Sequence, residues 1–165
     1  MRGAICKRAQ FSRRAVLAGQ RPPLSIRSQL LMSRGEELAR AAATFVGTPF
    51  RLYGRNAQTG LDCVGLLLAS LTAIGIQAVP VRGYRLRNCS IEPWLECATR
   101  WNLVSTEGPV QVGDVLIVVP GPSQHHIMIA SQDGSVIHAH AGLKRVVHEP
   151  VRHAQSFLAH FHLMN

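Results

Sequence analysis

Cysteine pairs at C-x-x-C spacing are absent from this sequence. Cys6, Cys63, Cys89 and Cys97 stand apart, so neither a zinc site nor a disulfide framework is suggested. Long apolar runs are missing too, and no stretch approaches the roughly 20 residues of a membrane span. The nearest approach to an export signal begins at Phe11-Ser12-Arg13-Arg14, but its apolar part ends after about four residues, where a working signal needs roughly 7 to 15. It reads as a chance match. Acidic residues are missing from one region: residues 1–32 hold seven of the 18 Lys and Arg and none of the nine Asp and Glu. The formal charge of +9 therefore belongs mainly to an N-terminal arm. Aromatics make up only 5% of the chain and are not interleaved with those cations, so no specific nucleic-acid partner is expected. Internal repeats and low-complexity tracts are also absent.

What remains bounds the architecture. A chain of 165 residues, 47% of them hydrophobic, can bury one core. Residues 1–32 are expected to be a basic, disordered leader, or an artefact of start-codon choice, because Met32-Ser33 stands directly before the first folded element. Residues 33–165 are expected to form a single domain. Ser33-Arg34-Gly35-Glu36 has the form of a capping box, and Leu38, Ala41, Ala42, Phe45 and Val46 continue it at helical spacing until Gly47-Thr48-Pro49. Residues 47–60 read as a loop, and Asp62 caps a second helix that runs through an apolar stretch to Ile74 and stops at Gly75.

An irregular segment with Arg85 and Arg87 extends from Gln77 to Asn88, and beyond it a third helix is capped by Ser90 and runs to about Trp101. The period then becomes that of strands. These are expected over 112–119, ended by Pro120-Gly121-Pro122, then 125–130, 136–140, 145–148 and a last edge strand over 157–163. Helices first and an antiparallel sheet after make an α+β domain.

Cys63 falls in the first turn of the second helix. There the free backbone N–H groups and the dipole favour a thiolate, although a small buried hydrophobe is the competing reading. His125 and His126 share a strand and point to opposite faces, while His138 and His140 share one face. If Gln132, Asp133 and Gly134 form a three-residue hairpin loop, His126 lies opposite His140 and diagonal to His138. A Cys–His–His set is then easy to assemble, one imidazole taking the thiol proton and the second holding the first in its working tautomer. A Cys/His metal site is the alternative, but nothing fixes three or four converging ligands, so no metal or cofactor is expected. His148, His153, His160 and His162 read as structural side chains.

In order along the chain, Gly47-Thr48-Pro49-Phe50-Arg51, Leu61-Asp62-Cys63-Val64-Gly65-Leu66, Gly113-Asp114-Val115-Leu116, His126-Ile127-Met128-Ile129 and Ile137-His138-Ala139 resemble the NlpC-type cell-wall cysteine peptidases. The likeness is nearest to the compact peptidases encoded among tail genes of phages and gene transfer agents, through Pro93-Trp94-Leu95-Glu96 and the closing Phe157-Leu158-Ala159-His160-Phe161. The resemblance implies a papain-like α+β fold and hydrolysis of peptidoglycan stem peptides, commonly between D-glutamate and the diamino acid. It implies Cys63 as nucleophile, His126 as general base and His138 as the orienting residue, with His140 as the alternative for that third role.

The chain departs from the family pattern at two positions. Met128 stands where members usually have glycine, a change expected to narrow the cleft. Phe50 stands where many have a tyrosine that supports the oxyanion, leaving the Cys63 N–H and, if the loop brings it inward, Tyr53 as donors. Arg51 and Arg55, with Arg85 and Arg87, are candidates for binding substrate carboxylates. The expected partners are tail-tip or hub proteins of a phage-like particle made in the bacterial cytoplasm and acting in the periplasm of a target cell. The competing function is a structural tail-tip component that kept the fold while its chemistry decayed. An acyltransferase or thioesterase on a permuted version of the fold is disfavoured, because here the cysteine precedes the histidines.

Overall fold

Ser33 Oγ accepts the Glu36 N–H at 3.1 Å while the Ser33 N–H donates to Glu36 Oε2 at 2.8 Å, closing the expected capping box. It starts helix α1, Arg34–Ala43, in a computed structural model that describes residues 32–79, 92–121, 124–151 and 157–164. The leader, the segment bearing Arg85 and Arg87, the Ser90 cap and His153 lie outside the described residues. Helix α1 ends three residues earlier than its apolar spacing predicts. Phe45 and Val46 instead reach back to the Ala42 and Ala43 carbonyls in tighter turns. The expected loop after it contains a short hairpin, β1 (Arg55–Asn56) with β2 (Gly60–Leu61). Helix α2, Cys63–Ala73, stops as predicted at Gly75, whose φ of +85° suits glycine. Helix α3 spans Glu92–Arg100.

Among the described residues the sheet has six antiparallel strands: β3 (Leu103–Ser105), β4 (Val115–Gly121), β5 (Gln124–Ala130), β6 (Ser135–His140), β7 (Arg145–Pro150) and β8 (Phe157–Leu163). Their spatial order is β3-β8-β4-β5-β6-β7. Two expectations need correction. The closing strand β8 is not at an edge, because the unforeseen β3 pairs with its far side. Strand β4 begins at Val115, not Val112, and continues through Pro120. A register irregularity between Val118 and Gly121 loosens the ladder there, which is where a residue without an N–H can be accommodated.

Strand alternation divides the core into two layers. Val115, Ile117, Ile127, Ile129, Ile137 and Ala139 face the helices and pack with Leu38, Leu67, Leu71 and Trp101. Leu116, Val118, Met128, Ala130 and Val136 form a second buried cluster on the other face. Burial of both faces explains why the strands read as nearly continuous apolar runs. It also changes the account of Met128, which is 4% exposed and puts its bulk into this second layer.

The Gly113-Asp114 pair fixes where the helices meet the sheet. Gly113 has φ +87°, and a Cβ there would stand 1.8 Å from the Gly35 carbonyl oxygen of α1. Asp114 is fully buried and accepts from the Gln111 N–H at 2.7 Å, from His160 Nε2 at 2.5 Å and from His162 Nδ1 at 2.7 Å. His160 and His162 thus tie β8 to the start of β4. Gly113→Ala combines a clash with a disfavoured backbone angle and is expected to cost on the order of 3 kcal/mol. Urea unfolding should show this as a lowered midpoint, and an unchanged midpoint would refute the close approach of α1.

Candidate active site

The site is built outward from the cap of α2. Asp62 is 2% exposed and takes the extended conformation of an N-cap. Its Oδ1 accepts from the Gly65 N–H at 2.8 Å and from Arg55 Nη1 at 2.7 Å, while Oδ2 accepts from the Tyr53 N–H at 2.7 Å. The loop ahead of the helix is thereby clamped onto the helix start. Tyr53 is held with φ +60°, and Gly65 allows the loop to approach so closely that a Cβ would stand 1.9 Å from the Gly54 carbonyl oxygen. Arg55 Nη1 also donates to that carbonyl at 2.7 Å, a structural duty that its position in the sequence does not reveal. Arg51 is exposed and Tyr53 is 52% exposed. Phe50 is half-buried against the helix-side core, and its N–H donates to the Lys144 carbonyl at 2.8 Å.

Cys63 opens α2 with its sulfur directed at β5. Strands β5 and β6 are paired at Ile129–Ile137 and Ala130–Val136, and the next hydrogen-bonded pair would join Ile127 to Ala139. The strands have parted there, and the Ile127 N–H donates to the cysteine sulfur instead. The expected thiolate is not the resting state. Although part of the residue reaches solvent, the sulfur itself is enclosed, and its burial pushes the thiol up from 9.0 to about 11. The Asp62 carboxylate adds to this rise, and the N–H groups of Ile127, Val64 and Cys63 oppose it without prevailing.

The histidine beside Ile127 completes the arrangement. His126 Nε2 lies 2.8 Å from His138 Nδ1, and His138 Nε2 lies 3.0 Å from Glu149 Oε1 on β7. Burial, followed by the nearby His138 and His140 rings, holds His126 down from 6.5 to about 3, so its imidazole is neutral at pH 7. The hairpin loop has the three-residue form expected, with Asp133 and Gly134 both at positive φ. Its register would place His126 opposite His140, yet the ring that His126 meets is the diagonal one, His138. His140 Nδ1 instead accepts from the Leu143 N–H at 3.2 Å, its ring centroid 5.5 Å from that of His138. His125 takes no part in this chain. Glu149 was missed from sequence, although it is the only acidic residue after Asp133 and so the only candidate carboxylate on the last strands. Among the described residues, no group of three or more His, Cys, Asp and Glu could hold a metal ion.

A model of the NlpC/P60 family matches residues 47–161. The fold is similar to the NlpC/p60 domain of the peptidoglycan hydrolase SagA (TM-score 0.54, 22% identity), covering 76% of this chain and 97% of that one. It is also similar to an NlpC/P60 family protein from Bacillus cereus ATCC 10987 (TM-score 0.58, 19% identity), covering 81% of this chain and 41% of that one. A third likeness is to the peptidoglycan hydrolase RipB from Mycobacterium tuberculosis (TM-score 0.53, 18% identity), covering 87% and 69%. The chain thus spans less than half of the Bacillus cereus structure, and 45% of each of two NlpC structures from Trichomonas vaginalis. No curated protein matches it in sequence. The helix-then-sheet arrangement is the papain-like fold of these neighbours.

The neutral pair leads to two expected outcomes. Alkylation of Cys63, monitored by mass spectrometry of its peptide, should accelerate about tenfold per pH unit through pH 9 and level off near 11. A plateau below pH 8 would show a resting thiolate. For stability, His126 stays unprotonated in the folded chain while the unfolded chain takes up its proton below 6.5, so stability falls as pH drops from 6.5 toward about 3. Replacing His126 by Asn should flatten that part of a urea-midpoint profile, and an unaltered slope would contradict the shift.

Proposed function

The chain belongs to the NlpC/P60 family, and on that premise we propose that it is a cysteine peptidase hydrolysing peptidoglycan stem peptides, with Cys63 as nucleophile, His126 as general base and His138 as the residue that orients it. The observation that carries the reading is the Cys63 sulfur on the Ile127 N–H, one residue from an imidazole already held by a second one. Because thiol and imidazole are both neutral at rest, the thiol proton passes to His126 as the sulfur attacks the scissile carbonyl carbon. The C–N bond breaks when His126 returns that proton to the leaving amine. A water, deprotonated by the same ring, then cleaves the thioester and releases the acid.

Backbone donors at the start of α2 support the developing charges. The Gly65 and Leu66 N–H groups are already satisfied by Asp62, whereas those of Cys63 and Val64 gather at the sulfur. As the sulfur engages the substrate, the Cys63 N–H becomes a donor for the oxyanion. The Tyr53 hydroxyl is the proposed second donor, replacing the one that Phe50 cannot provide. Exposed Arg51 is the proposed contact for a stem-peptide carboxylate. The proposal extends to the bond between D-glutamate and the diamino acid, and to a phage-like tail tip that brings the enzyme to the wall. That extension is supported by the ordered motifs and by the Trp94-bearing helix that the tail-encoded peptidases resemble.

Purified protein incubated with sacculi from a Gram-negative cell should release stem-peptide fragments whose new termini identify the bond by mass spectrometry. Cys63→Ala should release none, and His126→Ala should lower the rate on the order of 10³-fold or more. Intact sacculi with a folded wild-type protein would favour the competing reading of a structural tail component. Co-sedimentation with assembled particles would test the tail assignment separately.

A further inference from the structure

We propose that Glu149 is a positioning residue that decides which nitrogen of His126 is free to receive the thiol proton. This rests on the cysteine-peptidase reading above. Glu149 lies on the edge strand β7, two residues beyond Val147, which is opposite His138 in the ladder. It is therefore a diagonal neighbour of His138 on the same face. A carboxylate has lone pairs and no proton to give, so the 3.0 Å contact requires His138 Nε2 to carry a hydrogen. A neutral His138 then has a bare Nδ1, which can only accept. At 2.8 Å from it, His126 Nε2 must be the donor. His126 Nδ1 is left with its lone pair and is the basic atom.

Without the carboxylate the same two rings can run in the opposite sense. His138 would carry its proton on Nδ1 and donate to His126 Nε2, and the remaining His126 proton would sit on Nδ1, where it blocks the base. Glu149 removes that degeneracy. It also places a negative charge two hydrogen bonds from the imidazolium that forms when His126 takes the thiol proton. The other groups around the relay do not provide this. His140 lies beside His138 on β6, Arg145 on β7 is cationic, and on α2 the Cys63 thiol is neutral while the Asp62 carboxylate is bound to Arg55.

The test compares Glu149→Ala and Glu149→Gln with a control on the opposite face of the same strand, His148→Ala, whose imidazole bonds Ser135 Oγ. Two readouts are taken on the full chain: kcat/KM against pH on a stem peptide, and nitrogen-15 NMR of the labelled imidazoles. Glu149→Ala should lower kcat/KM about 10- to 100-fold. It should move the acid limb of the profile down by about one pH unit, because the lost negative charge no longer stabilises the proton on the relay. The amide of Glu149→Gln can still accept through its oxygen, so that variant should recover much of the rate while keeping the shifted limb. The control should match wild type.

In the spectra, wild type should show His126 and His138 both protonated on Nε2, and Glu149→Ala should show His126 as a mixture of tautomers. Unchanged tautomers in Glu149→Ala, or a loss of rate that is uniform across pH, would overturn the proposal. If wild type cleaves no stem peptide, the peptidase reading fails, and the spectra still decide the role of Glu149.

Discussion

The Asp62 carboxylate is the joint on which the site depends. Its two oxygens receive three donors from three places: a helix amide at Gly65, the guanidinium of Arg55 and the loop amide of Tyr53. At 2% exposure it depends on these donors, since removing one partner of a buried ion pair costs on the order of 3–5 kcal/mol. In return it satisfies the helix start, fixes the loop and sets Cys63 at the boundary between them. Its negative charge also works against the thiolate on the adjacent residue. The cap that positions Cys63 therefore helps to keep its thiol protonated.

The sheet makes the complementary contribution by coming apart. Where β5 leaves β6, one backbone donor, the Ile127 N–H, is released from the ladder and taken up by sulfur. The same divergence leaves room for the His126 and His138 rings to meet edge to face, with an interplanar angle of 78°. On the far side of His138, β6 pairs with β7, which brings a carboxylate behind the second ring. A helix terminus, an unzipped ladder and an edge strand thus converge on one row of polar groups in an otherwise apolar core.

Burial sets the resting chemistry of that row. Both the thiol and His126 are held in their uncharged forms chiefly by desolvation, which penalises whichever form carries charge. A separated thiolate and imidazolium would each need compensation that the resting site gives only in part, through three amides on sulfur and a two-step path to Glu149. In the proposed mechanism, transfer of the proton is then coupled to substrate engagement, because only then does the developing charge move onto an oxyanion with donors of its own.

By itself the sequence determined the elements that local physics controls. The capping box at Ser33, the Asp62 cap, the stop at Gly75, the three-residue hairpin and the alternation of the strands all depend on residues within a few positions of one another. The ordered motifs around Cys63, His126 and His138 made the family legible for the same reason. What only the tertiary structure decided were the pairings across long separations: β3 beside β8, Asp114 with His160 and His162, Met128 in the second core layer, and Glu149 behind His138. It also decided the protonation of Cys63. A helix N-terminus favours a thiolate wherever it occurs, but the withdrawal of this sulfur from water comes with its packing against β5, whose Ile127 N–H reaches it from 64 positions further along the chain.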